Sequence, residues 1–181
     1  MNIQNPLVSI CIPTFNRANL IWWSIESAMN QTYRNVEIIV VDNASTDTTR
    51  EVVLKYTKLD PRVKYFRNET NIGSGNNFRK CFEYASGYFV QALGDDDWLS
   101  KNYVEECVKQ IKAHLDAAAI LTNIVTLQFQ GENHFSFIDE DYMRPGRYSA
   151  RWFFHHVYKH PNLGGKGFIS FMRRDDFTNS L

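Results

Sequence analysis

One stretch of the chain, Tyr88-Phe-Val-Gln-Ala-Leu-Gly-Asp-Asp-Asp-Trp-Leu99, carries the strongest chemical signal in the sequence. Its first half is an apolar run, which predicts a buried strand, and its second half holds the consecutive carboxylates Asp95, Asp96 and Asp97. Neighbouring carboxylates repel one another unless water or a cation separates their charges. Hard cations such as Mg²⁺ or Mn²⁺ bind carboxylate oxygens together with substrate phosphates. The stretch therefore indicates a metal–diphosphate site, with an acidic turn that caps a helix near Tyr103 as the alternative.

The composition is that of a globular domain. The chain has 181 residues, 44% of them hydrophobic, and its 20 basic residues balance 20 acidic ones. This balance argues against a nucleic-acid partner. No apolar run is long enough for a membrane span, and the first residues lack the features of a signal peptide. Cys11, Cys81 and Cys107 lie in apolar patterns, which is typical of reduced core residues. We expect a cytoplasmic protein, and attachment to the cytoplasmic face of a membrane stays open.

Apolar runs and amphipathic segments alternate along the first two thirds of the chain. This alternation predicts an α/β fold with a mostly parallel sheet and helices on both faces. The predicted strands are Leu7–Ile12, Val36–Val41, Val63–Phe66, Tyr88–Leu93 and Ala117–Leu121, with the loop Pro13–Arg17 after the first.

The pattern changes after Thr122. Ile124–Phe129 and His134–Ile138 flank a polar turn and predict a β-hairpin, and the sequence is rich in loops from Asp139 onward. We therefore expect an α/β core at residues 1–122. Residues 123–181 are predicted to form a hairpin and a loop-rich segment of the same domain.

Two further stretches favour a ligand at the carboxyl edge of the sheet. Asp42 follows the second strand, where a carboxylate can accept the imide N–H of uracil or ribose hydroxyls; the alternative is a helix-capping role. The glycines of Asn71-Ile-Gly-Ser-Gly75 can let backbone N–H groups approach a phosphate or sugar. They do not form a dinucleotide fingerprint, because Phe78 stands where the third glycine would be required.

Taken together, these stretches resemble the family 2 glycosyltransferases, whose nucleotide-binding domain has the GT-A fold. The resemblance is strongest over residues 6–122. It implies that residues 1–122 are the nucleotide-sugar-binding core and that residues 123–181 are a hairpin and acceptor-side lid of the same domain, cut short at its carboxyl end. It rests on Val8-Ser-Ile-Cys-Ile-Pro-Thr-Phe-Asn-Arg17, on Asn30 through Asp47, on Asn71-Ile-Gly73 through Asn77 to Gly87-Tyr-Phe, and on Gly94-Asp-Asp-Asp97.

The resemblance implies a set of site residues and a cofactor. The residues expected around the nucleotide sugar are Pro13, Thr14, Asn16, Arg17, Asp42, Asn71, Gly73, Asn77, Asp95 and Asp96. Asp42 would contact the base. Asp95, Asp96 and Asp97 would bind Mg²⁺ or Mn²⁺, and the choice among the three stays open.

The resemblance also implies the activity. We expect a metal-assisted, inverting glycosyltransferase that moves a sugar from a UDP-linked donor to a hydroxyl of a saccharide or lipid-linked acceptor. The stretch from Gly164 to Arg174 resembles the strand and turn that precede the family's catalytic loop. The family's general base is a carboxylate in an acidic motif some way beyond that stretch, whereas this sequence stops at Leu181. Asp175 and Asp176 are the candidates within it. The alternatives are a non-catalytic nucleotide-sugar-binding module and a sugar-1-phosphate nucleotidyltransferase, whose glycine-rich basic loop is absent from Pro13–Arg17.

Overall fold

A computed structural model of the chain describes residues 4–114, 119–121, 124–129, 135–140 and 170–173. The strands are β1 (Val8–Thr14), β2 (Val36–Asp42), β3 (Val63–Arg67), β4 (Phe89–Ala92), β5 (Ala119–Leu121), β6 (Ile124–Phe129), β7 (Phe135–Glu140) and β8 (Ser170–Arg173). The helices are α1 (Ile21–Met29), α2 (Thr49–Leu59), α3 (Ser74–Tyr84) and α4 (Tyr103–Ala113).

The central sheet has the strand order β3-β2-β1-β4-β8-β5. Strands β3, β2, β1 and β4 are mutually parallel, which confirms the predicted α/β architecture. Every residue of β2 is buried, as expected for a parallel strand covered on both faces.

Helices cover both faces of this sheet. Ile10, Ile38 and Phe89 point to one face, where they pack with buried residues of α1, α2 and α4. Cys11, Ile39 and Val90 alternate with them and pack on the opposite face with Cys81, Phe82 and Ala85 in and just after α3. The alternation follows from the two-residue period of a strand. The two layers hold the strands rigidly, so that the loops at their carboxyl ends have fixed starting points.

Two differences from the predicted elements bear on the site. Strand β1 continues through Pro13 to Thr14, which pairs with Asp42, so the prediction of a loop beginning at Pro13 is wrong by two residues. Proline is tolerated there because it stands close to the strand's end. The second difference is β8, which runs antiparallel to β4 and separates it from β5.

The chain divides into two compact units, one formed by Met1–Ile120 with Gly167–Leu181 and the other by Leu121–Lys166. Within the second unit, β6 and β7 form the predicted antiparallel hairpin, with Phe129 paired to Phe135. Its second strand begins one residue later than expected and extends to Glu140. Strand β8, which the sequence assigned to the lid segment, is part of the central sheet. The remainder of the predicted loop-rich segment lies outside the described residues.

Candidate functional site

The ends of four parallel strands meet at one edge of the sheet. Thr14 on β1 pairs with Asp42 on β2, and Asp42 pairs with Arg67 on β3. Asp95 comes from the loop after β4, and its Oδ2 accepts a hydrogen bond from Thr14 Oγ1 at 2.7 Å. The register therefore brings Thr14, Asp42 and Asp95, three of the predicted nucleotide-sugar residues, to this single edge.

Asp95 lies between the hydroxyl of Thr14, which donates a hydrogen bond to it, and the guanidinium of Arg17 in the loop after β1. Arg17 Nε lies 3.6 Å from Asp95 Oδ1, and the Arg17 side chain is 48% exposed. Burial raises the pKa of Asp95 and repulsion by Asp96 adds to it, while the Thr14 hydrogen bond, Arg17 and the Phe15 N–H act in the opposite direction. The net shift is upward, so the local partners compensate the Asp95 charge only in part.

Asp96 and Asp97 fold back over Gly94. A Cβ atom at position 94 would lie 2.5 Å from Asp97 Oδ2 and 3.1 Å from Asp96 Oδ1. Burial raises the pKa of Asp97, and the charges of Asp96 and Asp95 raise it further. Asp96 is exposed. Glycine is thus the residue that lets both carboxylates occupy this space, and the turn concentrates negative charge.

The arrangement fits a cation that completes its coordination with a ligand. Across the parts of the chain that the structure describes, no three His, Cys, Asp or Glu side chains converge as a complete metal-binding set. Mg²⁺ typically binds one or two carboxylates and takes its other ligands from phosphates and water. Asp96 and Asp97, whose carboxylates both lie over Gly94, are the two side chains that could supply such a partial set.

The structure does not support the alternative that the acidic turn caps a helix. Helix α4 begins at Tyr103, its N-cap position is Asn102, and no side chain makes a cap hydrogen bond there. The N–H of Val104 donates instead to Gln31 Oε1 at 3.0 Å.

Asp42 is completely buried and has several partners. Its Oδ1 accepts from the N–H of Ser45 at 2.8 Å, and its Oδ2 accepts from Tyr65 Oη at 2.6 Å and from Arg67 Nη1 at 3.4 Å. Burial, together with the hydrogen bond to Asp42, raises the pKa of Tyr65 to about 12. The alternative role for Asp42 was to cap a helix. At the start of α2, however, the N–H of Thr49 donates to Oδ1 of Asp47, at 3.0 Å. Contact between Asp42 and a base stays a prediction.

The loops after β1 and β2 are bonded to each other through Asn16. Its N–H donates to Ser45 Oγ at 2.9 Å, and its Oδ1 accepts from the N–H of Thr46 at 2.8 Å. Asn16 and Ala44 have φ values of 53° and 64°, and a positive φ is uncommon for residues other than glycine. The two loops are thus held in a tight, defined conformation beside the site.

Asn71 and Asn77 belong to a network of asparagine side chains. Asn43 Nδ2 donates to Asn71 Oδ1 at 2.8 Å, and Asn68 Nδ2 donates to Asn77 Oδ1 at 2.8 Å and to Asn43 Oδ1 at 3.0 Å. Asn77 Nδ2 donates to the carbonyl of Val41 at 2.9 Å. The network fixes the segment before α3 against β2, so Asn71 and Asn77 shape this edge even without a ligand.

Gly73 has a φ of 84°, and its N–H donates to Asn71 Oδ1 at 2.9 Å. Pro13 lies within β1, one residue before Thr14. Of the predicted residues, Asp175 and Asp176 fall outside the described part of the chain.

Sequence reasoning missed the polar side chains of α1 that hold the acidic turn. Ser24 Oγ lies 2.9 Å from the carbonyl of Gly94 and 2.8 Å from that of Asp97. Gln31 bonds to Ser100 and Val104 farther along. The sequence did contain a signal for this contact. Ser24 falls on the same helical face as Ile21, Ile25 and Ala28, and a polar residue on a buried face needs a hydrogen-bond partner.

The chain matches the model of Glycosyl transferase family 2 over residues 9–175, and it belongs to that family. A chondroitin synthase of Pasteurella multocida is 36% identical over 117 residues, which are 65% of this chain and 12% of that protein. The GalNAc(5)-diNAcBac-PP-undecaprenol beta-1,3-glucosyltransferase of Campylobacter jejuni is 43% identical over 95 residues, 52% of this chain and 31% of that protein. The chain thus spans less than a third of either relative.

Solved structures of glycosyltransferases share the fold, which is the expected GT-A fold. The mannosyltransferase PcManGT from Pyrobaculum calidifontis, in complex with GDP-Man and Mn²⁺, aligns with a TM-score of 0.59 and 26% identity over 64% of this chain and 34% of its own. TarS of S. aureus, in complex with UDP, aligns with a TM-score of 0.64 and 22% identity over 96% of this chain and 48% of its own. Among the described residues, no helix is long and apolar enough to cross a membrane.

Proposed function

We propose that this chain forms the donor side of an inverting, metal-assisted glycosyltransferase that uses a UDP-linked sugar. The observation that carries the proposal is the turn after β4, where Asp96 and Asp97 lie over Gly94 and Asp95 bonds to Thr14. This excess of negative charge stands at the carboxyl edge of a parallel sheet, the place where such sheets bind ligands. A solved relative of the same fold contains GDP-Man and Mn²⁺.

In the proposed reaction, the acceptor hydroxyl attacks the anomeric carbon of the donor. The new bond from oxygen to the anomeric carbon forms on the face opposite the bond to the diphosphate, which breaks, so the configuration inverts. A bound Mg²⁺ or Mn²⁺ would supply neutralisation of the charge that develops on the leaving diphosphate. Asp96 and Asp97 would hold that ion, and Thr14 and Arg17 would keep Asp95 in place.

The base remains to be assigned by experiment. A carboxylate that accepts the acceptor's proton typically accelerates such a step by about 10²–10⁴-fold. Asp175 and Asp176 are the candidates that we propose within this chain. The acceptor is proposed to be a saccharide or a lipid-linked saccharide, and the reduced cysteines suit a cytoplasmic enzyme.

Calorimetric titration with UDP, with Mn²⁺ and with chelator, tests the donor site. We expect binding to require the metal and to weaken at least about tenfold in Asp96→Ala or Asp97→Ala, since each removes a metal ligand. Asp60→Ala is the control, because Asp60 stands in the connection from α2 to β3, at the other edge of the sheet. Equal affinity with and without metal, in the parent and both variants, would contradict the proposal.

A transfer assay separates the enzyme from a binding module. Metal-dependent UDP binding without release of UDP from any UDP-sugar, in the presence of saccharide acceptors, would favour a non-catalytic nucleotide-sugar-binding role for these residues.

A further inference from the structure

A line of polar side chains runs along helix α1 and just past its end. Ser24 and Ser27 are three residues apart on one side of the helix, and Gln31 follows two residues after the helix ends at Met29. Ser24 and Gln31 are completely buried. Buried polar groups require hydrogen-bond partners, and for this line of side chains the partners lie in the chain that follows β4.

Ser24 bridges the two ends of the acidic turn. Its Oγ lies 2.9 Å from the carbonyl oxygen of Gly94 and 2.8 Å from that of Asp97. The same residues are joined by a backbone hydrogen bond, from the N–H of Asp97 to the carbonyl of Gly94, at 3.2 Å. The single hydroxyl hydrogen of Ser24 can be donated to either carbonyl or shared between them, so this one side chain contacts both the first and the last residue of the turn that presents the carboxylates.

The residues after the turn are held by Ser27 of the same helix and by Gln31 just beyond its end. The N–H of Leu99 donates to Ser27 Oγ at 3.1 Å. Gln31 Nε2 donates to the carbonyl of Ser100 at 2.8 Å, and Gln31 Oε1 accepts from the N–H of Val104 at 3.0 Å. These contacts fix the chain leaving the turn, while Ser24 and the backbone hydrogen bond between Asp97 and Gly94 restrain the turn itself.

The turn needs such a restraint because its own charges act to open it. Asp95, Asp96 and Asp97 are adjacent carboxylates, and like charges at this spacing repel one another. Opening of the turn would move the Asp97 carboxylate away from Gly94, over which it now lies. The carboxylates would then no longer share the small volume in which they can bind one cation.

We propose that Ser24 is a positioning residue for the divalent metal, holding the Gly94–Asp97 turn closed so that Asp96 and Asp97 can bind the ion together with the donor's diphosphate. This inference rests on the proposed function. Ser24 does not touch the ion or the donor in this scheme, and it acts through the backbone of the turn. Groups that orient metal ligands in this indirect way typically contribute about 10–100-fold to metal affinity.

The test uses the full 181-residue chain with Ser24→Ala and, as its matched control, Ser9→Ala. Ser9 is also a completely buried serine, but its hydroxyl donates to Glu37 at 2.5 Å, at the amino edge of the sheet. Mn²⁺ affinity in the presence of saturating UDP is measured by electron paramagnetic resonance of the free ion. UDP affinity in chelator and the melting temperature are measured on the same samples.

We expect Ser24→Ala to weaken Mn²⁺ binding about tenfold and to behave like the parent protein in the UDP titration with chelator. Ser9→Ala should lower the melting temperature without changing Mn²⁺ affinity. Ser24→Cys serves as a second variant, because a thiol fills similar space but is a weak donor; it should also bind Mn²⁺ less tightly. It keeps the test decisive if the alanine variant does not fold.

Unchanged Mn²⁺ affinity in the folded Ser24 variants would overturn the inference and leave the proposed function standing. An equal loss in Ser9→Ala would also overturn it, since the effect would then follow from general destabilisation. Absence of Mn²⁺ binding by the parent protein with UDP would overturn both the inference and the metal-assisted mechanism.

Discussion

Acidic side chains lie beside a glycine at both edges of the central sheet, one at the amino ends of the strands and the other at their carboxyl ends. The two edges differ in how the carboxylate charge is stabilised. At the amino edge, Glu37 is almost completely buried, and its carboxylate accepts hydrogen bonds from Lys64 Nζ at 2.7 Å, from Ser9 Oγ at 2.5 Å and from the N–H of Ser86 at 2.7 Å. Burial pushes the pKa of Glu37 upward, but these donors outweigh it and lower the pKa to about 2.

In the acidic turn at the carboxyl edge, the net shift in pKa has the opposite direction. Burial and mutual repulsion raise the pKa values of Asp95 and Asp97. The donors around Glu37 therefore favour its charged form, whereas the surroundings of Asp95 and Asp97 in the acidic turn disfavour theirs. We interpret the Glu37 site as one that stabilises the fold, and the acidic turn is the proposed binding site.

The largest expected effect is on folding, from Gly87→Ala at the amino edge. A Cβ there would lie 2.6 Å from the backbone nitrogen of Ser9 and 2.8 Å from the carbonyl oxygen of Phe89. Because backbone atoms of the sheet cannot move away easily, the variant should lose about 3 kcal/mol of unfolding free energy in urea denaturation. Gly75→Ala is the control, since nothing lies within 4 Å of the added Cβ and its stability should be unchanged or higher. Equal stability of the two variants would contradict the packing argument.

The second prediction concerns acid. The pKa of Glu37 is about 2 in the folded protein against a usual 4.5, so the folded state favours its charged form. Ionised Glu37 therefore adds about 2 kcal/mol to the free energy of unfolding above about pH 5, and this contribution is lost as the pH falls toward 2.

In the matching experiment, urea denaturation is compared at pH 6 and pH 3 for the parent and Glu37→Gln. The variant should be less stable at pH 6 and should lose less stability on acidification. Identical acid dependence of the two proteins would mean that Glu37 is not the group responsible.

The third prediction tests whether the acidic turn at the carboxyl edge takes part in binding UDP and Mn²⁺. In Gly94→Ala the added Cβ would meet the Oδ2 of Asp97 at 2.5 Å, a side-chain atom that can rotate away. Stability should fall less than in Gly87→Ala, while UDP affinity with Mn²⁺ should fall about tenfold, because the displaced carboxylate is a proposed ligand. Calorimetry and urea denaturation on the same variant measure both. Full UDP affinity in this variant would argue against a role for the Asp97 carboxylate.

The smallest effect is a gain in stability. Asp97→Asn removes one charge from the acidic turn and should raise the unfolding free energy by roughly 0.5 kcal/mol without metal, the size of a partly exposed charge interaction. Glu37→Gln should do the opposite, because Glu37 has a cationic partner. Thermal denaturation in chelator and again with Mn²⁺ and UDP checks this. A loss of stability in Asp97→Asn would mean that the turn does not carry excess charge.

The strands and helices of residues 7–113 could be predicted because their signals are local. The apolar run at Val36–Val41 and the helical spacing of Val104, Cys107, Val108 and Ile111 each dictate one element, and the structure places β2 and α4 there. The acidic triplet could also be recognised as a candidate site from the sequence, because three adjacent carboxylates after a buried strand repel one another. The hairpin of β6 and β7 followed from two apolar runs around a polar turn.

Other features depended on contacts between residues far apart in the sequence. Ser24 meets Gly94 and Asp97 because α1 packs against the chain that follows β4, 70 residues later. Asp42 bonds to Tyr65 and Arg67 because β3 is the neighbour of β2, and β8 inserts antiparallel beside β4. Local patterns determine which residues form an element and which face is buried. The hydrogen-bond partner of a buried polar group is decided only when the sheet order and helix packing bring distant donors and acceptors within 3 Å or so of each other.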